Sequence, residues 1–170
     1  DIKVIIDIFE TAYFKYGFKE FDTAPNYGDG FTEFILGKIF HNEKEILFNT
    51  KVGSKPFGGK SFEVDSVKYS IEESLLRLNC EKINTLFLHN PRDEIIDYDR
   101  ILNLLNDFKS QGIIRNIGLS CAKNFDYDQF VNSSEFDFIQ DDINLLCLSP
   151  LIKDKKIDLY ARSPLASGIL

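Results

Sequence analysis

The chain contains no methionine and no tryptophan, and only three cysteines and two histidines among its 170 residues. The cysteines, Cys80, Cys121 and Cys147, are odd in number and form no CxxC pair, which argues against a disulfide framework or a zinc ribbon. We therefore expect reduced thiols and no metal site. Because position 1 is not methionine, we also expect that sequence is missing upstream.

Positive charge is in deficit, with 20 Lys and Arg against 27 Asp and Glu and a formal net charge of -7. This excess of negative charge argues against sequence-independent binding to the phosphate backbone of a nucleic acid, so no nucleic-acid partner is expected. No apolar run reaches the roughly 18 residues that a membrane-spanning helix needs, and no signal-peptide pattern opens the chain. We expect a cytoplasmic protein without a membrane partner.

Short β-branched or aromatic runs alternate with segments of helical periodicity, a pattern typical of βα units and a parallel sheet. Six strands are predicted, in FKEFDTA, ILFNTKVG, INTLFLHNP, IIRNIGLS, FDFIQDDIN and KIDLYARS. Helices are predicted in the opening segment, in TEFILGKIF, around residues 67–78 and in residues 98–111, and a short turn or helix in LSPLIK. Asp65 or Ser66 is the predicted cap of the third helix. The fold class is therefore α/β.

Polar residues recur at the ends of the predicted strands. In a parallel barrel, side chains at the carboxyl ends of the strands face the active-site mouth. Each of these side chains could have a purely structural role instead of a functional one. For example, Ser120 can cap a helix, and His89 can be a buried, hydrogen-bonded histidine. Their repetition at one face indicates a functional site. The residues are Asp22, Lys51, His89, Ser120, Gln140 and Ser163.

Four residues also make chemical sense as a group. An ammonium beside a tyrosine phenol favours the phenolate, so Lys51 would make Tyr27 a general acid. Asp22 would hold the lysine in place, and His89 would donate to a substrate oxygen or share the tyrosine proton. The structural alternatives are that Tyr27 is a loop residue packed on the rim and that Lys51 is a solvated residue at the end of its strand. His41 is interpreted as an exposed loop residue, and Asp141 and Asp142 as a solvated strand end.

Six stretches in order resemble the aldo-keto reductase family. They are FDTAPNYGDGFTEFILGK, NTKVG, SIEESLLRLNCEKINTLFLHNP, GIIRNIGLS, FDFIQDDIN and ARSPLASGIL. The resemblance implies a (β/α)8 TIM barrel that binds NADPH without a glycine-rich turn. The six predicted strands would be the second to the seventh, so residues 1–170 would form one barrel domain, truncated at both ends. An open barrel exposes two strand edges, and a homo-oligomer is expected if the barrel is open.

The resemblance also implies a reaction and its residues. Tyr27 would give a proton to the carbonyl oxygen of an aldehyde, ketone or sugar, Lys51 and Asp22 would tune the phenol, and His89 would orient the carbonyl. The cofactor would be NADPH, with NADH as the alternative. Its expected contacts are Asp22, Thr23, Ser120, Gln140, Arg162, Ser163, Leu165 and Ser167.

One departure from the family pattern and two alternative interpretations remain. The family often has Asn after the serine of the fifth barrel strand, whereas this chain has Cys121, and a thiol is a weaker hydrogen-bond partner than an amide. A noncatalytic barrel retained as a binding or regulatory subunit is the second interpretation, since folds persist without their chemistry. A third is a different TIM-barrel enzyme that binds phosphate at the same face.

Overall fold

Six parallel strands form one sheet in which each strand pairs with the next along the chain. The computed structural model describes residues 1–91, 97–121, 135–147 and 157–169. The strands are β1 (Glu20–Asp22), β2 (Leu47–Val52), β3 (Ile83–His89), β4 (Ile114–Ser120), β5 (Phe138–Asp142) and β6 (Asp158–Arg162). This sheet is a partial TIM barrel, and all six predicted strands are confirmed.

Helices connect the strands where the sequence predicts them. They are α1 (Ile2–Glu10), which continues as a π-helical turn (Thr11–Lys15), α2 (Phe31–Phe40), α3 (Val64–Leu78) and α4 (Tyr98–Ser110), with a 3₁₀ turn at Ala166–Gly168. No helix in the described ranges has the length and apolar character needed to cross a membrane. The turn or helix predicted in LSPLIK lies outside the described residues.

The predicted cap of α3 is wrong. The helix begins at Val64, one residue before Asp65, and its N-cap Glu63 makes no side-chain capping bond. Asp65 and Ser66 therefore lie inside the first turn. A negative charge is favourable there because the amino end of a helix carries partial positive charge.

The interior of the sheet is filled by alternate side chains of neighbouring strands. The register pairs Lys51 with Phe87 and Phe87 with Gly118, so these residues share the inner face. A Cβ atom at Gly118 would lie 2.4 Å from the Phe87 ring. Glycine therefore makes room for a fully buried phenyl group beside Lys51. Leu86 and Leu88 alternate with Phe87 and pack in the main hydrophobic cluster.

Helices α2 and α3 pack closely over β2. A Cβ atom at Gly37 would lie 2.4 Å from the carbonyl oxygen of Arg77, so the two helix backbones are almost in contact. The buried Glu33 carboxylate accepts hydrogen bonds from Thr50 Oγ1 at 2.6 Å and from Arg77 Nε at 2.8 Å. These bonds tie α2 and α3 to the strand that carries Lys51.

The sheet register brings the polar strand ends together. His89 pairs with Ser120, Ser120 pairs with Gln140, and two residues further along Asp142 pairs with Arg162. The carboxyl ends of these strands therefore lie at one edge of the sheet, as the sequence predicts for this set of side chains.

Candidate active site

Lys51 lies at the centre of the site and its side chain is fully buried. Its Nζ donates to Asp22 Oδ2 at 2.6 Å and to the Thr23 carbonyl oxygen at 2.7 Å. Burial of an ammonium group is costly unless it is paired and hydrogen-bonded, and both conditions are met. The Asp22 side chain keeps 34% of its surface exposed. The pair therefore fixes a lysine charge beneath the mouth of the barrel.

Tyr27 and His89 lie beside this pair. Lys51 Nζ is 5.0 Å from the centroid of the half-buried Tyr27 ring. The Tyr27 and His89 rings meet edge to face, with centroids 6.3 Å apart. The structure thus brings together Asp22, Tyr27, Lys51 and His89, which come from three separate segments of the sequence.

His89 is held neutral by its surroundings. Burial, followed by the charges of Lys51, Lys60 and Arg162, lowers the pKa of His89 to about 3. Its Nδ1 atom is buried and has no hydrogen-bond partner within the described ranges. A neutral imidazole retains one N–H donor and one acceptor, so the ring can serve a ligand oxygen.

The depressed pKa of His89 predicts a pH dependence of stability. Between about pH 6.5 and pH 3 the unfolded chain takes up a proton at His89 that the folded chain does not, so stability falls as the pH falls through this range. From pH 7 to pH 4 this group alone should lower the free energy of unfolding by roughly 3 kcal/mol. We expect His89→Gln to remove that part of the loss, as measured by urea unfolding at each pH.

The exposed His41 provides the matched control for this measurement. The His41→Gln variant should keep the pH dependence of the unmodified chain, because it leaves the buried His89 in place. An identical slope in His89→Gln and the unmodified chain would contradict a buried, neutral His89.

Arg162 connects the ends of β4, β5 and β6. Its Nε donates to Asp142 Oδ1 at 2.9 Å, and its Nη2 donates to the Cys121 carbonyl oxygen at 2.8 Å. Ser120 Oγ donates to Gln140 Oε1 at 2.8 Å and lies 3.5 Å from Arg162 Nη1. Cys121 contacts Arg162 through its backbone carbonyl oxygen, and burial raises the pKa of the Cys121 thiol. These residues form the wall of the site opposite β1.

The other expected cofactor contacts lie around this cluster. The Thr23 hydroxyl is buried without a hydrogen-bond partner in the part of the chain that the structure describes. Ser163 Oγ donates to Asp142 Oδ1 at 3.0 Å. Leu165 and Ser167 are exposed beyond β6, Leu165 just before the 3₁₀ turn and Ser167 within it. The structure therefore buries Thr23 beside Lys51 and leaves Ser163 exposed after β6, with Leu165 and Ser167 on the segment that follows.

Sequence reasoning missed the role of two acidic residues. Asp141 and Asp142 are not a solvated strand end: Asp141 is buried, and Asp142 accepts from both Arg162 and Ser163. The signal was present in the two-residue period of a strand, which places Asp142 on the same face as Gln140. Lys60 was also missed; it donates from the loop after β2 to the Asn90 carbonyl oxygen at 3.1 Å, next to His89.

Fold and site together define a barrel protein with a polar cluster at the carboxyl ends of its parallel strands. The chain belongs to the aldo/keto reductase family, whose model matches residues 5–170. An aldo-keto reductase of Pseudocercospora fijiensis is 29% identical over 171 residues, which cover 92% of this chain and 57% of the relative. The NADH-specific methylglyoxal reductase of Escherichia coli is 29% identical over 198 residues, covering 100% of this chain and 59% of that protein.

A solved structure has the same fold. The aldo-keto reductase AKR11C1 of Bacillus halodurans, in its holo form, superposes with a TM-score of 0.81 at 24% identity, over 99% of this chain and 58% of that chain. This chain therefore spans somewhat more than half the length of these relatives.

Proposed function

We propose that the protein containing this chain is an NAD(P)H-dependent oxidoreductase that reduces the carbonyl group of an aldehyde, ketone or sugar. The single observation that carries the proposal is the buried Lys51 ammonium, paired with Asp22 and next to the Tyr27 ring. A charged lysine close to a phenol favours loss of the phenol proton. General acid catalysis by tyrosine needs this arrangement, and here it lies at the mouth of the barrel.

Tyr27 is the proposed general acid. Its hydroxyl gives a proton to the carbonyl oxygen, and the positive charge of Lys51 stabilises the phenolate that remains. Asp22 and the Thr23 carbonyl oxygen hold the ammonium in place, so no reorganisation is needed during the step. A bound nicotinamide supplies the hydride that completes the reduction.

His89 is proposed to orient the carbonyl. As a neutral imidazole 6.3 Å from the Tyr27 ring, measured between centroids, it can donate one hydrogen bond to the same oxygen without competing as an acid. Two donors converging on one oxygen hold the carbonyl in a defined direction, which favours reaction at one face of its carbon.

The residues around the cluster fit a nicotinamide cofactor. Gln140 uses its Oε1 to accept from Ser120 and keeps an amide NH2 that suits a carboxamide oxygen. The buried, unpartnered Thr23 hydroxyl suits another polar group of the cofactor. Ser163, Leu165 and Ser167 offer hydroxyl and backbone N–H groups for a pyrophosphate. The resemblance favours NADPH, whereas the Escherichia coli relative is named for NADH.

Cofactor binding and turnover test this proposal directly. We expect the protein to change the fluorescence of NADPH or NADH on titration, and to oxidise the bound cofactor when an aldehyde such as methylglyoxal or 4-nitrobenzaldehyde is added. Binding with no turnover across a panel of aldehydes, ketones and sugars would favour the noncatalytic binding subunit instead. No binding of either cofactor would refute the proposal.

A further inference from the structure

A cavity of about 410 Å³ lies between the loop that follows β2 and helix α3. We call it the α3 cavity. Strand β2, from which the loop starts, pairs with β1 on one side and with β3 on the other, so the α3 cavity lies away from the edges of the sheet. Asp22, Tyr27, Lys51 and His89 do not line it. The α3 cavity is therefore separate from the candidate active site.

The loop after β2 forms a hairpin that walls the α3 cavity. Ser54 and Lys60 form an antiparallel bridge near the base of the hairpin. Close to its tip, the backbone N–H of Phe57 donates to Asp29 Oδ1 at 2.8 Å. The hairpin is thus fixed at both ends, and the cavity exists without a ligand, as is usual for small-molecule sites.

Ser54 presents an unused hydroxyl to the α3 cavity. The residue lines the cavity and is only 6% exposed. Its hydroxyl makes no hydrogen bond to any residue in the described ranges. A buried hydroxyl without a partner costs free energy, which a hydrogen bond to a ligand would recover. Ser54 therefore indicates that a polar group of a ligand binds at this point.

The charges around the α3 cavity favour an anion. Two of its carboxylates are already occupied: Asp29 accepts a backbone N–H, and Glu73 lies 3.3 Å from Arg77 Nη1. The Lys55 ammonium, by contrast, has no ion pair or hydrogen bond within the part of the chain that the structure describes. Lys55 follows Ser54 directly, so a cation and a hydroxyl donor lie together, and such a pair suits a carboxylate or a phosphate.

Phe57 adds an apolar surface to the α3 cavity. Its ring lines the cavity, and the residue is 88% exposed. Its φ of +59° is a conformation that favours glycine, and it lies in the turn that the bond from Gly58 N to the Lys55 carbonyl oxygen closes at 3.3 Å. A strained backbone that displays an uncovered phenyl group is typical of a functional position. An apolar group of a ligand would cover this ring.

We propose that the α3 cavity binds a small anion that carries an apolar ring. Ser54 and Lys55 hold the anionic group, and Phe57 covers the ring. Aromatic carboxylates and aromatic phosphates share this chemistry. The proposal does not rest on carbonyl reduction, because the site uses no residue of the candidate active site.

Isothermal titration calorimetry of the unmodified protein with benzoate and with phenyl phosphate tests the proposal. We expect saturable binding of at least one of the two anions, and the tighter one shows whether the site takes a carboxylate or a phosphate. Benzyl alcohol has the ring without the charge and should bind at least about tenfold more weakly. If neither anion binds, or if benzyl alcohol binds as tightly, the proposal is overturned.

Variants of the hairpin assign the anionic group. Ser54→Ala and Lys55→Gln should each weaken binding of the tighter anion by about fivefold or more. Lys68→Gln is the matched control, since Lys68 is an exposed lysine of α3 that does not line the cavity, and its affinity should be unchanged. Unchanged affinity in Lys55→Gln would overturn the proposal, and this exposed position decides the matter even if Ser54→Ala does not fold.

Phe57→Asn tests the contact with the ring. Asparagine tolerates a positive φ, so the turn is kept while the phenyl group is removed. The unmodified protein should bind the tighter aromatic anion at least about fivefold better than its methyl counterpart, acetate or methyl phosphate, and the variant should lose this preference. An equal preference in both proteins would refute the assigned contact.

Tyr27→Phe locates the bound anion. This variant changes the candidate active site and leaves the α3 cavity intact, so the affinity for the tighter anion should stay the same. A loss of affinity in Tyr27→Phe would place the anion in the candidate active site and overturn the proposal. Because calorimetry needs no turnover, these results are independent of whether carbonyl reduction is found.

Discussion

Tyr27→Phe should reduce carbonyl turnover by about 10³-fold while the dissociation constant of the cofactor changes by less than about twofold. The substitution removes the proton that the proposed mechanism delivers to the carbonyl oxygen. It keeps the aromatic ring that lies 5.0 Å from Lys51 Nζ and 6.3 Å from the His89 ring. Single-turnover oxidation of bound NADPH by an aldehyde measures the first quantity, and fluorescence titration measures the second.

The matched control is the Tyr69→Phe variant, which removes a phenolic hydroxyl from a tyrosine that is 63% exposed on α3. It should turn over like the unmodified protein. If Tyr27→Phe also kept full turnover, Tyr27 would not be the general acid, and the proton would have to come from another group of the site.

Gly37→Ala should lower the free energy of unfolding by about 3 kcal/mol, the upper part of the range for overpacking. The added Cβ would lie 2.4 Å from the Arg77 carbonyl oxygen and 2.6 Å from that of Leu78. These are backbone atoms of α3, so no side chain can rotate away and the two helices must separate. For a domain of this length the melting temperature should fall by roughly 9 °C.

Lys38→Ala is the control for this effect, because Lys38 is the next residue of α2 and its side chain is exposed. Alanine is a good helix former, so this variant should stay close to the stability of the unmodified chain. A Gly37→Ala variant as stable as Lys38→Ala would show that α2 and α3 can separate slightly at little cost. Chemical unfolding monitored by far-ultraviolet circular dichroism compares the two.

Much of the fold was predictable because the sheet is parallel and its strands pair in chain order. The apolar run INTLFLH marks β3, a strand covered on both faces, and polar residues at strand ends mark the edge where the site lies. Asp22, Lys51 and His89 could be assigned to that edge from their positions alone. Tyr27 lies in a turn, so its strand position gave no assignment; it was predicted from the chemistry of a phenol beside the Lys51 ammonium, and the family resemblance implied the same role.

The contacts that were missed join residues far apart in the chain. Arg162 meets Asp142 across 20 positions and Tyr160 meets Glu20 across 140, and neither pairing follows from local periodicity. The buried Glu33 is a similar case, since its partners are Thr50 and Arg77 on two other elements. Charged residues are mostly exposed, so composition alone predicts these side chains in solvent. Their partners become apparent only when the sheet curvature and the helix packing are known.

The sequential strand order has a consequence for how the chain acquires its structure. Each strand finds its partner in the βα unit made just before it, so the sheet can grow by one unit at a time as synthesis proceeds from the amino end. The loop that the Tyr160–Glu20 contact closes is the longest of those discussed, and it cannot form until β6 has been made. Nascent chains that end before β6 would present the edge of their latest strand to chaperones or to neighbouring nascent chains.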